Sequence, residues 1–327
     1  MSEVPELPEP PKSFRASAPG KVNLHLGVGE ARADGYHELV TVFQAVDRRE
    51  YVTLHVEDGP AVTTGSVVRE MHTEFLVQRP AEDIDTPANL AWRAVDAVVD
   101  ECRQVAQALP PVRIEVEKHV FVAGGMAGGS GDAAAALVAA ARYVAAYAGV
   151  ELDRAQLHRL GAQLGADVPF CLRGGTALGT GRGDELVDML TRGTTHWVFI
   201  NPKVGISTGK AFGLLDDMRH NDPALVPHLS TNSLSQQLTR GDQDALAKSL
   251  HNDLQAAALR MQPRLQQVIG AAEETPGVLR AIISGSGPTI AALCADADAA
   301  NSARASLRER FPDYEVVTAA GPSPGAQ

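Results

Sequence analysis

Between an alternating segment and a long alanine-rich run lies the string Val122, Ala123, Gly124, Gly125, Met126, Ala127, Gly128, Gly129, Ser130, Gly131 and Asp132. Upstream, Val112, Ile114 and Val116 alternate with Arg113, Glu115 and Glu117, the period of a half-buried strand. Downstream, from about residue 132, the alanines favour a helix. A glycine loop joining a strand to a helix lets backbone N–H groups turn toward an anion, and the helix N-terminus adds about half a positive charge. The loop therefore predicts phosphate binding. It lacks the Gly-Lys-Ser/Thr ending of a P-loop and the spacing of a dinucleotide fingerprint. A tight strand-to-helix turn is the competing reading, but such a turn does not need this many glycines flanked by Ser130 and Asp132. The Ser130 hydroxyl is also a suitable oxygen for Mg²⁺.

A chain of 327 residues exceeds what one hydrophobic core usually organises, which predicts two closely packed domains. The expected division is an acidic, Pro-rich disordered arm at 1–12, an N-terminal domain at 13–175, a C-terminal domain at 176–320 and a flexible tail at 321–327. The formal charge of −11, with no Lys/Arg cluster, argues against a nucleic-acid partner. Cys102, Cys171 and Cys294 are odd in number and far apart, which fits a reducing cytoplasm better than a disulfide framework or a zinc site. The most apolar stretch, 133–150, is mostly alanine and carries Arg142, so no membrane anchoring is expected.

Other segments suggest chemistry less directly. Val22, Leu24 and Leu26 alternate with Asn23 and His25, so Lys21, Asn23 and His25 are expected to share one strand face. Lys21 there is either a point charge for a substrate or an ordinary exposed lysine. Residues 86–109 read as a helix with Leu90, Val95, Val98, Cys102 and Val105 inward. A helix at 152–164 ends at Gly165, and Asp167 follows before Pro169, where an aspartate often only closes a turn. Beyond that, single helices at 208–218, 233–240, 244–259 and 263–273 and strands at 196–200, 279–283 and 289–294 predict an α+β second domain. A third glycine loop, Ser284-Gly285-Ser286-Gly287-Pro288, is either a turn or a second wall against phosphates.

Taken in order, Ala18-Pro19-Gly20-Lys21-Val22-Asn23, the central glycine loop and the late Ser-Gly-Ser-Gly-Pro resemble the GHMP kinases over about residues 14–322. The strings at 33–39 (Ala-Asp-Gly-Tyr-His-Glu-Leu) and 165–170 (Gly-Ala-Asp-Val-Pro-Phe) are similar to those of the 4-diphosphocytidyl-2-C-methyl-D-erythritol kinases among them. The resemblance implies a two-domain α+β fold with an N-terminal ATP-binding domain and the active site in the cleft between domains. ATP and Mg²⁺ are the implied cofactors. By this resemblance Asp167 takes the hydroxyl proton and Lys21 pairs with it. The central loop holds the ATP phosphates, while Asn89 and Lys118 line the adenine pocket. Tyr36 and Phe212 sandwich a cytosine, and His37, Asn23, Thr208, Gly285 and Ser286 contact the substrate. The implied partner is a small molecule, a cytidine diphosphate conjugate of a branched sugar alcohol, bound by a monomer or weak homodimer. Relatives usually carry Pro at the position of Phe121 and commonly Ala at that of Gly131, departures that remove no catalytic group. A homoserine- or sugar-type kinase and a non-catalytic nucleotide-binding relative are the alternatives.

Overall fold

Two long strands dominate the computed structural model, which describes residues 9–32, 35 and 37–327. Tyr36 and residues 1–8 of the expected arm lie outside the described residues. β1 (Ser13–Ala31) and β2 (His37–Val56) pair antiparallel, with register breaks at Pro19/Gly20, Asn23/His25 and Val28/Ala31. Such breaks bend a strand and re-aim its side chains. Val22 and Leu24 enter a core between two sheets, so strand alternation leaves Lys21 and Asn23 on the opposite face. His25, expected on that face too, follows the second break and lies against His228 and His251.

The first sheet runs β3-β4-β2-β1-β8, with β5 on β2 and β6 on β5. Its further strands are β3 (Val68–Phe75), β4 (Val112–Lys118), β5 (Thr176–Thr180), β6 (Glu185–Asp188) and β8 (His251–Asn252). Four helices accompany it: α1 (Leu90–Cys102), α2 (Gly128–Ala148), α3 (Arg154–Leu164) and α4 (Val168–Arg173). Alanines 133–136 are fully buried, so α2 packs closely in a core shared with α1 and the sheet.

The second sheet is antiparallel, in the order β11-β7-β10-β9. It comprises β7 (Thr195–Asn201), β9 (Val278–Ile283), β10 (Ile290–Cys294) and β11 (Glu315–Gly321). Trp197 and Phe199 meet Val22 and Leu24 in the core between the sheets. The other face packs on α8 (Gln255–Met261), α9 (Arg264–Glu273) and α10 (Ala297–Arg310). The remaining helices are α5 (Thr208–Asn221), α6 (Asn232–Arg240) and α7 (Gln243–Ser249). Among the described residues no helix is long and apolar enough to cross a membrane.

Several boundaries differ from the sequence expectation, each for a local reason. α1 starts at Leu90 because Asn89 caps it: its Oδ1 accepts from Ala91 N and its Nδ2 donates to Ile84 O, both at 2.9 Å. Val105 lies beyond its end and is 69% exposed rather than inward. The single helix expected at 244–259 is interrupted by β8, where Asn252 Nδ2 donates to Ile283 O and Gly285 O, both at 2.8 Å. Pairing of β5 with β2 and of β6 with β5 carries the first sheet through Asp188, past the expected boundary at 175. Residues 321–327, expected as a flexible tail, are packed. Arg49 donates to Pro324 O and Gly325 O at 2.8 Å, and Gln327 exchanges two backbone bonds of 2.9 Å with Ser17.

Candidate active site

The glycine loop turns sharply before α2. Ala123 (φ 52°), Gly125 (φ 78°) and Ala127 (φ 59°) all adopt left-handed conformations, and α2 begins at Gly128, earlier than residue 132. No side chain caps α2 and its first turn carries no acidic residue, so its leading N–H groups are available to an anion. Gly125 is required by a second loop: a Cβ there would sit 2.1 Å from Ser284 O, and Ser284 Oγ donates to Gly125 O at 3.0 Å. The late glycine loop is thus a second wall of the site. Gly285 approaches so closely that a Cβ on it would lie 3.3 Å from Lys21 Nζ.

These loops enclose a central cavity of about 370 Å³, also lined by Lys21, Asn23, Ser130, Asp167, Thr208 and Ser286. Lys21 is buried, and its Nζ donates to Asn23 Oδ1 at 2.6 Å, while Asn23 Nδ2 donates to Thr41 Oγ1 at 2.9 Å. No ion pair joins Lys21 to Asp167 among the described residues, contrary to the direct pairing expected. Burial lowers the Lys21 pKa and the Asp167 charge opposes that shift across the cavity. Asp167 lies in the turn between α3 and α4 and occupies the N-cap position of α4, yet its side chain makes no capping bond. Asp167 lines the central cavity.

A second cavity of about 370 Å³ shares Leu90, Ala123 and Gly129 with the first and is lined by Asn89, Lys118, Val122 and Asp132. Lys118 is 2% exposed and bridges two buried carboxylates, Glu50 at 2.9 Å and Asp132 in a very short contact. Burial opposes the lysine's charge, but Asp132 and Glu50 together raise its pKa above the ordinary value. Burial raises both carboxyls, with Lys118 opposing. Glu50 also accepts from the N–H groups of His119 (2.7 Å) and Val120 (3.2 Å), tying β2 to the chain entering the glycine loop. Met126 and Gly131, expected at the nucleotide, line none of these cavities. Met126 is fully buried in the core between the sheets, and Gly131 packs on Glu50, where a Cβ would come within 3.2 Å of Cγ. Phe121 is 1% exposed in the same core as Met126, so packing holds the loop's first edge.

A third, larger cavity of about 770 Å³ shares Leu39, Arg182, Thr208 and Phe212 with the central one. His37 stacks on Phe212 with ring centroids 4.9 Å apart. Its Nε2 lies 2.9 Å from Asp216 Oδ1, and since a carboxylate only accepts, Nε2 donates and the ring is fixed in one orientation. Thr208 Oγ1 and Ser286 Oγ are hydrogen-bonded at 2.8 Å.

Just past Asn23, His25 Nε2 donates to His228 O at 2.9 Å within a cluster containing His251, Asp253 and Arg219. Burial, followed by repulsion from His251, lowers the His25 pKa from 6.5 to about 4. Because the unfolded chain binds this proton more readily, stability is complete above pH 6.5 and falls as pH drops from 6.5 toward 4. The loss amounts to about 3 kcal/mol. Urea denaturation between pH 7 and 4.5 is expected to show this slope and His25→Phe to flatten it; an equal slope in the variant would remove His25 as the cause.

Glu50, Asp216, Asn252 and Arg182 were not expected at the site. Glu50 sits in the charged run Asp47-Arg48-Arg49-Glu50 and reads as surface, yet it is fully buried.

The chain matches the models of the GHMP kinases N terminal domain over residues 89–175 and GHMP kinases C terminal over 234–313. It is 46% identical over 311 residues to a 4-diphosphocytidyl-2-C-methyl-D-erythritol kinase of Corynebacterium efficiens, covering 95% of this chain and 94% of that protein. With the protein of the same name from Nocardia farcinica it shares 44% identity over 319 residues, covering 97% and 96%. A crystal structure of 4-(cytidine 5'-diphospho)-2C-methyl-D-erythritol kinase superposes with a TM-score of 0.71 at 29% identity, covering 94% of this chain and all of that one. The L. major mevalonate kinase, at 15% identity, a TM-score of 0.72 and 98% and 100% coverage, shares the fold. Uncapped helix, twin glycine loops and near full-length identity above 40% lead to one placement: the chain belongs to the GHMP kinases, in the family of the 4-diphosphocytidyl-2-C-methyl-D-erythritol kinases.

Proposed function

We propose that the protein transfers the terminal phosphoryl group of ATP to the 2-hydroxyl of 4-diphosphocytidyl-2-C-methyl-D-erythritol. The observation that carries this reading is the order of three joined cavities, with the uncapped helix N-terminus and Asp167 in the middle one. Adenine occupies the cavity walled by Asn89 and Lys118, which places its phosphates over the glycine loop and the first turn of α2. The cytidine end of the acceptor occupies the largest cavity, against Phe212 and His37. The proposed role of Tyr36 against the base rests on its motif alone. The hydroxyl to be phosphorylated then lies beside Asp167.

Phosphoryl transfer passes through a loose transition state, so positioning and charge stabilisation contribute most. Asp167 accepts the hydroxyl proton as the bond to phosphorus forms. Lys21, held by Asn23, lines the same cavity as Asp167, whose charge opposes the lowering of the lysine pKa by burial, and serves the transferred oxygens as the cation. Thr208 and Ser286 offer hydroxyls to the acceptor from the far wall. Ser130, at the start of α2 in the central cavity, would offer its hydroxyl as a hard oxygen to Mg²⁺. Bound there, the ion neutralises charge on the phosphates.

The test is ADP release by purified protein with Mg²⁺-ATP and 4-diphosphocytidyl-2-C-methyl-D-erythritol, with homoserine, mevalonate and galactose run in parallel. Turnover on the cytidyl compound alone is expected. Preference for any of the others would leave the fold in place and remove the proposed roles of His37 and Phe212.

A further inference from the structure

We infer that the segment 322–327 is a clamp that positions Asp167, holding α4 in a fixed place relative to β1. It rests on the role proposed above for Asp167 and adds a device that sets where the carboxylate lies.

Asp167 and Lys21 line one cavity with no ion pair between them among the described residues, so their separation is set by the elements that carry them. Asp167 is the N-cap of α4, a helix of six residues. A helix this short leaves most of its carbonyls without an intrahelical partner. Ala326 N meets two of them, donating to Cys171 O at 3.0 Å and to Leu172 O at 3.3 Å. Cys171 N in turn donates to Asp167 O at 3.1 Å. One residue of α4 is thus held by the segment at its carbonyl and holds Asp167 with its N–H.

The two chains cross at glycines. A Cβ on Gly325 would sit 2.2 Å from Leu172 O, and one on Gly174, the C-cap of α4, would sit 2.0 Å from Gly325 N. Gly175 N donates to Ser323 O at 2.8 Å and closes the same junction. At its other end the segment is paired with the strand of Lys21, since Ser17 and Gln327 exchange two backbone bonds of 2.9 Å. Arg49 of β2 fastens both ends together. Its Nη1 donates to Pro324 O and its Nη2 to Gly325 O, both at 2.8 Å, while Nε donates to Ser17 Oγ at 3.0 Å. The competing reading is that packing alone places α4, because Val168, Phe170 and Cys171 are fully buried. Buried side chains leave the terminal carbonyls of the helix unpaired, and a shift of about 1 Å at a reacting group costs about 100-fold in rate.

Two variants release the clamp without changing a residue that lines the three cavities: deletion of residues 322–327, and Gly325→Ala, whose methyl group meets Leu172 O. Leu307→Ala, in the core between the second sheet and α10, is weakened elsewhere. Hydrogen exchange of residues 168–174 is expected to rise at least about tenfold in both clamp variants, with α1 unchanged. On the cytidyl acceptor kcat falls about 10–100-fold in the deletion and about 3–10-fold in Gly325→Ala. KM for ATP stays within about twofold, since no residue of the segment lines the nucleotide cavity. Leu307→Ala keeps kcat within about twofold at temperatures where it is folded. If the deletion does not fold, Gly325→Ala carries the comparison. Unchanged exchange in α4 would overturn the proposal, and so would unchanged kcat in a variant whose α4 exchanges faster. An equal loss of kcat in Leu307→Ala, or a KM for ATP that rises as kcat falls, would make the segment a support of the whole fold and overturn it too. If wild type turns over a different acceptor, the cytidyl reading fails, and the same comparison on that acceptor still decides the clamp. Turnover of no acceptor would remove both.

Discussion

Substituting Asp167→Asn is expected to lower kcat by about 10²–10⁴-fold while ATP binding stays within about twofold, the range for losing a general base. The two side chains have the same shape, so the change tests charge and proton acceptance rather than packing. Asp167 contributes no cap to α4, and the helix keeps Pro169 in its first turn either way. Stability should therefore change by less than about 0.5 kcal/mol. On the proposed roles the loss belongs to the transition state, where the carboxylate takes the proton and balances Lys21. Calorimetric titration of ATP alongside single-turnover kinetics separates binding from chemistry. A kcat within about threefold of wild type would show that no base is needed at this position. Loss of ATP affinity in parallel with kcat would instead make Asp167 part of the phosphate site.

The alternation at 112–117 and the glycines after it made the strand, loop and helix legible, because each is encoded by neighbours in sequence. Asp167 was less so. Gly165, Asp167 and Pro169 describe a helix stop equally well, and only the place of Asp167 on the central cavity adds the second reading. Glu50 was hidden for a different reason. A charged run beside a strand normally faces water, and nothing local reveals that Lys118 and two backbone N–H groups meet it from β4 and the following loop. Arg182, between two glycines and before Asp184, has the composition of a surface turn, and pairing of β5 with β2 is what carries it into the site. The two-residue β8 inside an apparent helix is of the same kind. Its pairing with β1 and the bonds from Asn252 to the late glycine loop are long-range interactions that outweigh local helix propensity.

The same buried charge group yields the largest expected effect on stability. Lys118→Met should destabilise the protein by about 3–5 kcal/mol at pH 7, the range for removing one partner of a buried pair. Methionine fills much of the lysine's volume, so the loss comes from charge and not from a cavity. Glu50 and Asp132 would face each other, fully buried, with no cation between them. Their pKa values, already raised by burial, would rise further. A carboxyl whose pKa is higher in the folded than in the unfolded chain favours the fold at low pH and loses that advantage as pH rises. The deficit of the variant relative to wild type should therefore shrink as pH falls from 7 to 5. Adding Glu50→Gln to Lys118→Met should recover more than half of the loss, because a neutral amide still accepts the N–H groups of His119 and Val120. Urea denaturation of the wild type, both single variants and the double variant at the two pH values measures all of these terms. Equal deficits at pH 5 and pH 7, with no recovery in the double variant, would mean that Lys118 acts through packing.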